Sequence, residues 1–185
     1  MEVIRGIHNL QPRHRGCIVT IGNFDGVHLG HQAILRQVKQ KSLELGAPSM
    51  LICFEPQPKE FFDAFSAPAR LTRFREKVVL LAEQGIDLVL CLKFDEKTRS
   101  MSAPAFIDLL VKDLQVRAVF AGDDARFGND RSGDFNLLLA AGKKYDFAVT
   151  NLYTLTVDQT RVSSTRIRDC LAAGDFAMAE QLLGR

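Results

Sequence analysis

The sequence predicts an α/β fold: a doubly wound, mostly parallel sheet with helices on both faces. Three observations predict it. Short runs rich in Val, Ile, Leu and Phe recur along the 185 residues, at 16–21, 48–54, 86–94, 116–121 and 147–152. These runs are apolar on both faces, as strands covered by helices on each side must be. Between them lie longer stretches of helical spacing, so that strand and helix alternate in repeated βαβ units. A sheet of this kind places its ligands beyond the carboxyl ends of its strands.

Each element has a local reason. GCIVTI at 16–21 is β-branched and stops at Gly22. A helix follows over 30–45, with Ile34, Val38 and Leu45 along one face. PSMLICF at 48–54 is the second strand, and Phe74, Val78 and Leu81 give i, i+4, i+7 spacing to the next helix. IDLVLCLKF at 86–94 is the third strand, and Phe106, Leu109 and Leu110 mark the helix after it. VRAVFA at 116–121 leads to a helix patterned by Leu137, Leu138 and Ala141, and FAVTNL at 147–152 is the fifth strand. Two short helices, at 163–172 and 175–183, are expected to break at Gly174. There is no low-complexity tract, internal repeat or long linker, so one domain spanning 1–185 is expected.

Composition excludes several function classes. Hydrophobic residues make up 46% and charged residues 25%, enough apolar material for a sizeable core. With 24 Lys+Arg against 22 Asp+Glu the formal charge is +2, which argues neither for nucleic acid nor for a membrane surface as partner. No apolar run reaches the length that crosses a bilayer, and MEVIRGIHNL lacks the apolar segment of a secretory signal. Cys17, Cys53, Cys91 and Cys170 are widely spaced without a CxxC pair, and three of them sit in apolar runs. They read as reduced, buried thiols of a cytoplasmic protein rather than disulfides or zinc ligands.

Chemistry concentrates where the first strand ends, in GNFDGVHLGH at 22–31. Glycines at a strand-to-helix turn let the backbone approach a ligand. The helix that follows offers unbonded N–H groups and the positive end of its dipole to an anion. His28 and His31, three residues apart, lie on one side of that helix start. A lone histidine here would read as an ordinary loop residue; two, framed by glycines, read as a phosphate site. The spacing matches neither GxGxxG nor GxxxxGK[ST], which disfavours a dinucleotide fingerprint and a P-loop. Asp25 is expected to orient the turn.

Three further segments stand out. Ser163, Ser164 and Thr165 at a helix start act as caps and aim hydroxyls and N–H groups outward, with Arg166 and Arg168 adding charge that can grip phosphate. Gly122-Asp123-Asp124-Ala125-Arg126-Phe127-Gly128 follows the fourth strand, where ligand loops belong. FEPQPKEFF at 54–62 reads as a rigid, aromatic and proline-rich loop, and Ala69-Arg70-Leu71-Thr72 precedes a helix.

With these residues the chain resembles the nucleotidylyltransferase superfamily, whose mark is a HxGH tetrad matched by His28-Leu29-Gly30-His31. GNFDGVHLGH, the 54–58 segment, Ala69 to Thr72 and Val162 to Arg168 narrow the resemblance to the adenylyltransferase module of the prokaryotic FAD synthetases, over essentially the whole chain. The resemblance implies a Rossmann-like nucleotidylyltransferase fold that moves AMP from ATP onto FMN, giving FAD and pyrophosphate. It implies His28 and His31 as catalytic residues, with Gly22, Asn23, Phe24, Gly30, Ser163, Ser164, Thr165 and Arg168 binding ATP. It implies Pro56, Pro58, Phe62, Phe106, Asp124, Ala125 and Phe127 on the flavin side, Phe106 being equally placed for core packing. Mg²⁺ is expected on the ATP phosphates, without a named protein ligand. Members usually continue into a riboflavin kinase barrel, so the resemblance leads to the expectation that residues 1–185 are the adenylyltransferase module alone. They usually carry an aromatic where Ala125 stands, which opens a cavity or widens a channel on the flavin side. Two alternatives remain: a related transferase acting on phosphopantetheine, nicotinate mononucleotide or a cytidylyl substrate, and a flavin- or nucleotide-binding module with impaired turnover.

Overall fold

The structure is a computed structural model that describes residues 1–152, 156, 157 and 160–185. Its strands are β1 Glu2–Arg5, β2 Ile18–Ile21, β3 Ser49–Glu55, β4 Leu88–Lys93, β5 Ala118–Ala121 and β6 Ala148–Asn151, followed by a small hairpin, β7 Thr156–Val157 and β8 Thr160–Arg161. Its helices are α1 Leu29–Leu45, α2 Pro58–Phe62, α3 Phe74–Glu83, α4 Glu96–Arg99, α5 Ala103–Asp108, α6 Phe135–Tyr145, α7 Ser164–Ala172 and α8 Phe176–Leu183. A π turn, Leu109–Asp113, continues α5.

Six strands form one sheet in the order β1-β4-β3-β2-β5-β6, every pair parallel. The chain winds from β2 through β3 to β4 on one side, then returns to β5 and β6 on the other. That is the doubly wound order, and its reversal falls between β2 and β5, where a crevice opens. All five expected strands are present. Neighbouring strand residues face opposite layers. Val19, Ile52, Leu90 and Val119 pack with Phe106, Leu110 and Leu138. On the other face, Leu51, Val89 and Cys91 meet Leu35 of α1 and Leu81 of α3, while Ile18 and Phe120 meet Val38. Burying one such side chain stabilises the fold by about 1.5–3 kcal/mol, which is why runs apolar on both faces choose this architecture.

Two strand features and two short helices, α2 and the single turn α4, were not expected. β1 lies at the sheet edge and pairs with β4 alone, so in EVIR Ile4 is buried and Arg5 exposed, and no continuous apolar run marks it. The β7–β8 hairpin has only two residues a side. The segment expected as a rigid loop becomes a helical turn at α2, because Pro58 suits the first helical position and Glu60 accepts the Gln57 N–H at 2.9 Å. The four cysteines are free, with Cys17, Cys53 and Cys91 buried. Among the described residues no helix is long and apolar enough to cross a membrane.

A separate apolar cluster docks the C-terminal helices. Val162, Ile167, Ala179 and Leu182 pack together with Leu29 at the start of α1 and Leu71. This packing carries the start of α7 to the start of α1.

Candidate active site

The site begins with the turn from β2 into α1. Phe24 (φ 48°), Gly26 (φ 85°) and Val27 (φ 39°) all adopt left-handed backbone. For a non-glycine residue this costs of order 1–3 kcal/mol. The side chains of Phe24 and Val27 are buried, and that burial offsets the strain. The turn sets His28 as the N-cap of α1, where its Nδ1 accepts the His31 backbone N–H at 3.3 Å. With Nδ1 accepting, the proton of a neutral His28 sits on Nε2, a tautomer assigned from this hydrogen bond. The His28 and His31 rings stack at 3.6 Å, and Phe24 lies 4.5 Å from His31. Burial pushes the His28 imidazole down to about 4. It pushes His31 well below its usual value, helped by the charges of His28 and Lys77. Both are therefore neutral donors at physiological pH. His31 Nδ1 and the ammonium of Lys77, a fully buried residue of α3, have no hydrogen-bond partner among the described residues.

Asp25 ties the turn to two distant segments. Its carboxylate accepts the N–H of Leu71 at 3.1 Å, the N–H of Thr72 at 3.0 Å and the Thr72 hydroxyl at 3.2 Å. Arg168 of α7 donates to the same carboxylate from one guanidinium nitrogen, and from Nε to the Ala69 carbonyl at 2.6 Å. Ser164 Oγ donates to the Asp25 carbonyl at 3.0 Å, and Gly26 N–H reaches Thr72 Oγ1 at 3.0 Å. The expected orienting role of Asp25 thus has a definite form: it joins residues 25, 71–72 and 168. Gly30 completes the approach, since a Cβ there would lie 3.2 Å from the Val162 carbonyl.

Beyond the ends of β2 and β5 the cleft has two lobes. One, of about 380 Å³, is lined by Gly22, Asn23, Phe24, His28, Gly30 and His31 on one wall and Ser163, Ser164, Thr165 and Arg168 on the other. All ten residues read from the sequence as catalytic or ATP-binding meet there. Ser163 caps α7 by accepting the Arg166 N–H at 3.2 Å, which leaves the first N–H groups of α7 unbonded within the helix. The second lobe, of about 710 Å³, shares Ile21, Gly22, Asn23, Gly122 and Asp124 with the first. Pro58, Phe62, Phe106, Asp124, Ala125 and Phe127 line it; Pro56 lines neither lobe. Phe106 is 5% exposed within the core and also lines this lobe, 5.1 Å from the Phe127 ring.

Sequence reasoning missed Gln57, Lys59 and Arg161 in the first lobe and Phe54, Phe94 and Met101 in the second. Arg161 immediately precedes the Val162-Ser163 motif and pairs with Asp124 at 3.4 Å, so its position was a usable signal. Phe94 ends an apolar run at the carboxyl end of β4, again where ligand residues belong. Among the described residues, no three His, Cys, Asp or Glu side chains gather where they could hold a metal ion.

Comparison with known proteins gives the family of the chain. The family model for FAD synthetase matches residues 10–166. The bifunctional riboflavin kinase/FMN adenylyltransferase of Pseudomonas fluorescens is 52% identical over 186 residues, covering 100% of this chain and 60% of the relative. The protein of the same description from Escherichia coli is 50% identical, covering 100% of this chain and 59% of the relative. The chain therefore spans about 60% of the length of these curated relatives. The crystal structure of a macrolide-efflux protein from Streptococcus pneumoniae superposes with a TM-score of 0.84 at 24% identity, covering 100% of this chain and 60% of that one, a likeness of fold alone.

Proposed function

The chain belongs to the FAD synthetase family, and from that premise we propose that its cleft is an FMN adenylyltransferase site, moving AMP from ATP to the phosphate of FMN with release of pyrophosphate. One observation carries the reading. Two phosphate-handling groups far apart in sequence, the imidazoles at 28 and 31 and the hydroxyl-arginine cluster at 163–168, line one lobe, and an aromatic lobe opens beside it. A triphosphate fits between the first two, and an isoalloxazine ring suits an apolar slot with few polar anchors.

In this reading an FMN phosphate oxygen attacks the α-phosphorus of ATP in line. The new P–O bond forms as the bond to the β-phosphoryl oxygen breaks, and pyrophosphate leaves with the electron pair. The nucleophile is already anionic, so no general base is needed; positioning and charge stabilisation supply the rate. His28 Nε2–H and the His31 ring donate to the phosphates as charge moves toward the leaving group. The N–H groups of Ser164 and Thr165, with Arg168, hold the outer phosphates. Gly22, Asn23 and Phe24 shape the floor beneath them. Pro58, Phe62, Phe106, Asp124, Ala125 and Phe127 receive the flavin, with Pro56 directing the chain toward them. Mg²⁺ enters as part of the substrate, MgATP, on the phosphates.

Residues 1–185 act as one adenylyltransferase domain in this reading. It accounts for the second half of the relatives' description, and riboflavin kinase is the activity to seek in the remainder of a full-length protein. ATP as substrate and four free thiols suit the reducing cytoplasm. The test is pyrophosphate release with FMN and MgATP, alongside CTP and other phosphorylated acceptors. FAD formation is expected. Turnover with another acceptor, or flavin binding without turnover, would replace this reading by one of its alternatives.

A further inference from the structure

The Ala69-Arg70-Leu71-Thr72 segment has no part in the chemistry assigned above, yet it touches three parts of the site. The Ala69 carbonyl accepts from Arg168, and Leu71 and Thr72 donate to Asp25, so the segment is fastened to the nucleotide lobe on both sides of residue 70. The Arg70 side chain leaves in another direction. It hydrogen-bonds Glu55 at the end of β3 and grips both carboxylate oxygens of Glu60 on α2. The three side chains are only 22–27% exposed. The guanidinium holds the Glu60 carboxyl below its usual range, its hydrogen bond being the largest cause. Arg70 itself lines neither lobe.

α2 needs such a tether. It is a single turn of five residues. None of its side chains belongs to a core cluster. Its apolar support is ring contact, with Phe61 at 5.3 Å and Phe62 at 5.8 Å from Phe94. This turn nevertheless presents Pro58 and Phe62 to the aromatic lobe, and Lys59 to the nucleotide lobe.

We propose that Arg70 is a positioning residue that fixes α2, and with it the flavin-facing wall, at a set distance from the nucleotide lobe. The inference rests on the adenylyltransferase reading for the identity of the ring that the wall receives. A bidentate guanidinium gripping one carboxylate while bonding a second sets orientation as well as distance, and a lysine cannot reproduce both contacts. The nucleotide lobe keeps its Asp25 network without the Arg70 side chain, so the two substrates should respond unequally to its loss.

The experiment compares the wild type with Arg70→Gln, Arg70→Lys and Glu60→Gln. FMN affinity is read by quenching of flavin fluorescence, KM for ATP by pyrophosphate release, and folding by thermal midpoint. Arg70→Gln is expected to weaken FMN about 10-fold, the scale of a misplaced binding wall, while KM for ATP moves by less than about 3-fold. Arg70→Lys is expected to fall between. Glu60→Gln still accepts the Gln57 N–H but loses its charge, so it isolates the ion pair from the helix cap and stands in should Arg70→Gln not fold. Unchanged FMN affinity in these variants would overturn the proposal. So would equal losses for both substrates in step with the melting temperature, the mark of a role in the scaffold alone. The titration reads the positioning role and the wild-type pyrophosphate assay reads the function, so each can fail without the other.

Discussion

In the first lobe of the cleft, proposed for the nucleotide, Asp25 is 3% exposed and gathers hydrogen bonds from residues 71, 72 and 168, whereas the second lobe, proposed for the flavin, is walled by Phe rings, Leu92, Met101 and Ala125 among polar loop residues, with Phe62 62% exposed. The first lobe is fixed by polar groups whose partners lie in distant segments. The second is shaped by apolar area and by one short helical turn. In-line transfer requires the reacting atoms to be placed within fractions of an ångström, which buried hydrogen bonds to fixed backbone can supply. A flat aromatic ring needs contact area and shape, which several side-chain choices can supply. The difference teaches where this molecule tolerates change. Side-chain changes around Ala125 should therefore cost less than changes around Asp25.

The most damaging change should be at the hub. Asp25→Ala strands the Arg168 guanidinium, itself 20% exposed, beside unpartnered N–H groups. Removing one partner of a buried pair destabilises by about 3–5 kcal/mol. Urea unfolding should show that loss. A variant as stable as the wild type would mean that the nucleotide lobe is no more constrained than its neighbour, and the contrast would dissolve.

Next in size are the imidazoles. His28→Ala and His31→Ala are each expected to lower the rate of pyrophosphate release by ~10²-fold or more, the range for a lost transition-state donor. Flavin affinity should stay close to that of the wild type, because neither ring lines the aromatic lobe. Turnover near the wild-type rate in both variants would remove them from the mechanism; a parallel loss of flavin binding would show the two lobes to be one.

On the flavin side the expected effect is smaller and of opposite sign. Ala125 packs against the main core cluster and lines the aromatic lobe. Ala125→Phe should refill that wall and tighten FMN by about 1–2 kcal/mol, roughly 5- to 30-fold in affinity. Weaker binding in a titration would mean that the space beside Ala125 is already used by the ring.

How much of this was legible in the sequence divides along the same line. The strands at 16–21, 48–54, 86–94 and 116–121 declared themselves because burial on both faces leaves an unbroken apolar run. The other edge strand, β6, is exposed or half-buried and was legible only through the FAVTNL run at 147–152, whereas β1, in EVIR, has no such run. That the residues at 22–31 and 163–168 would meet in one lobe was readable because the phosphate site proposed there needs particular types, histidine, glycine, serine and arginine, at fixed spacing around helix starts. The Asp25 hub was only half readable: an orienting role follows from its place in the turn, but its partners lie 46 and 143 positions away. No local pattern encodes that distance. The α2 turn was misread as loop because its prolines were weighed as rigidity; the Gln57–Glu60 cap was the signal for a helix start.

Proton binding offers the finest discrimination between the two sides, because the titratable rings lie on one of them. Burial lowers His28 from an ordinary 6.5 to about 4. Between those values the unfolded chain binds more protons than the folded one, so stability rises with pH through that window. The contribution of His28 is complete above about pH 6.5 and is lost as pH falls toward 4. The thermal midpoint of the wild type should therefore drop more steeply between pH 6.5 and 4 than that of His28→Ala, which leaves every carboxylate in place. Over pH 7 to 9 both imidazoles remain neutral donors, and the rate of pyrophosphate release should carry no inflection from either of them. Coincident midpoint curves for the two proteins would mean that the ring is hydrated rather than buried, and the phosphate side of the cleft would then be as open as the flavin side.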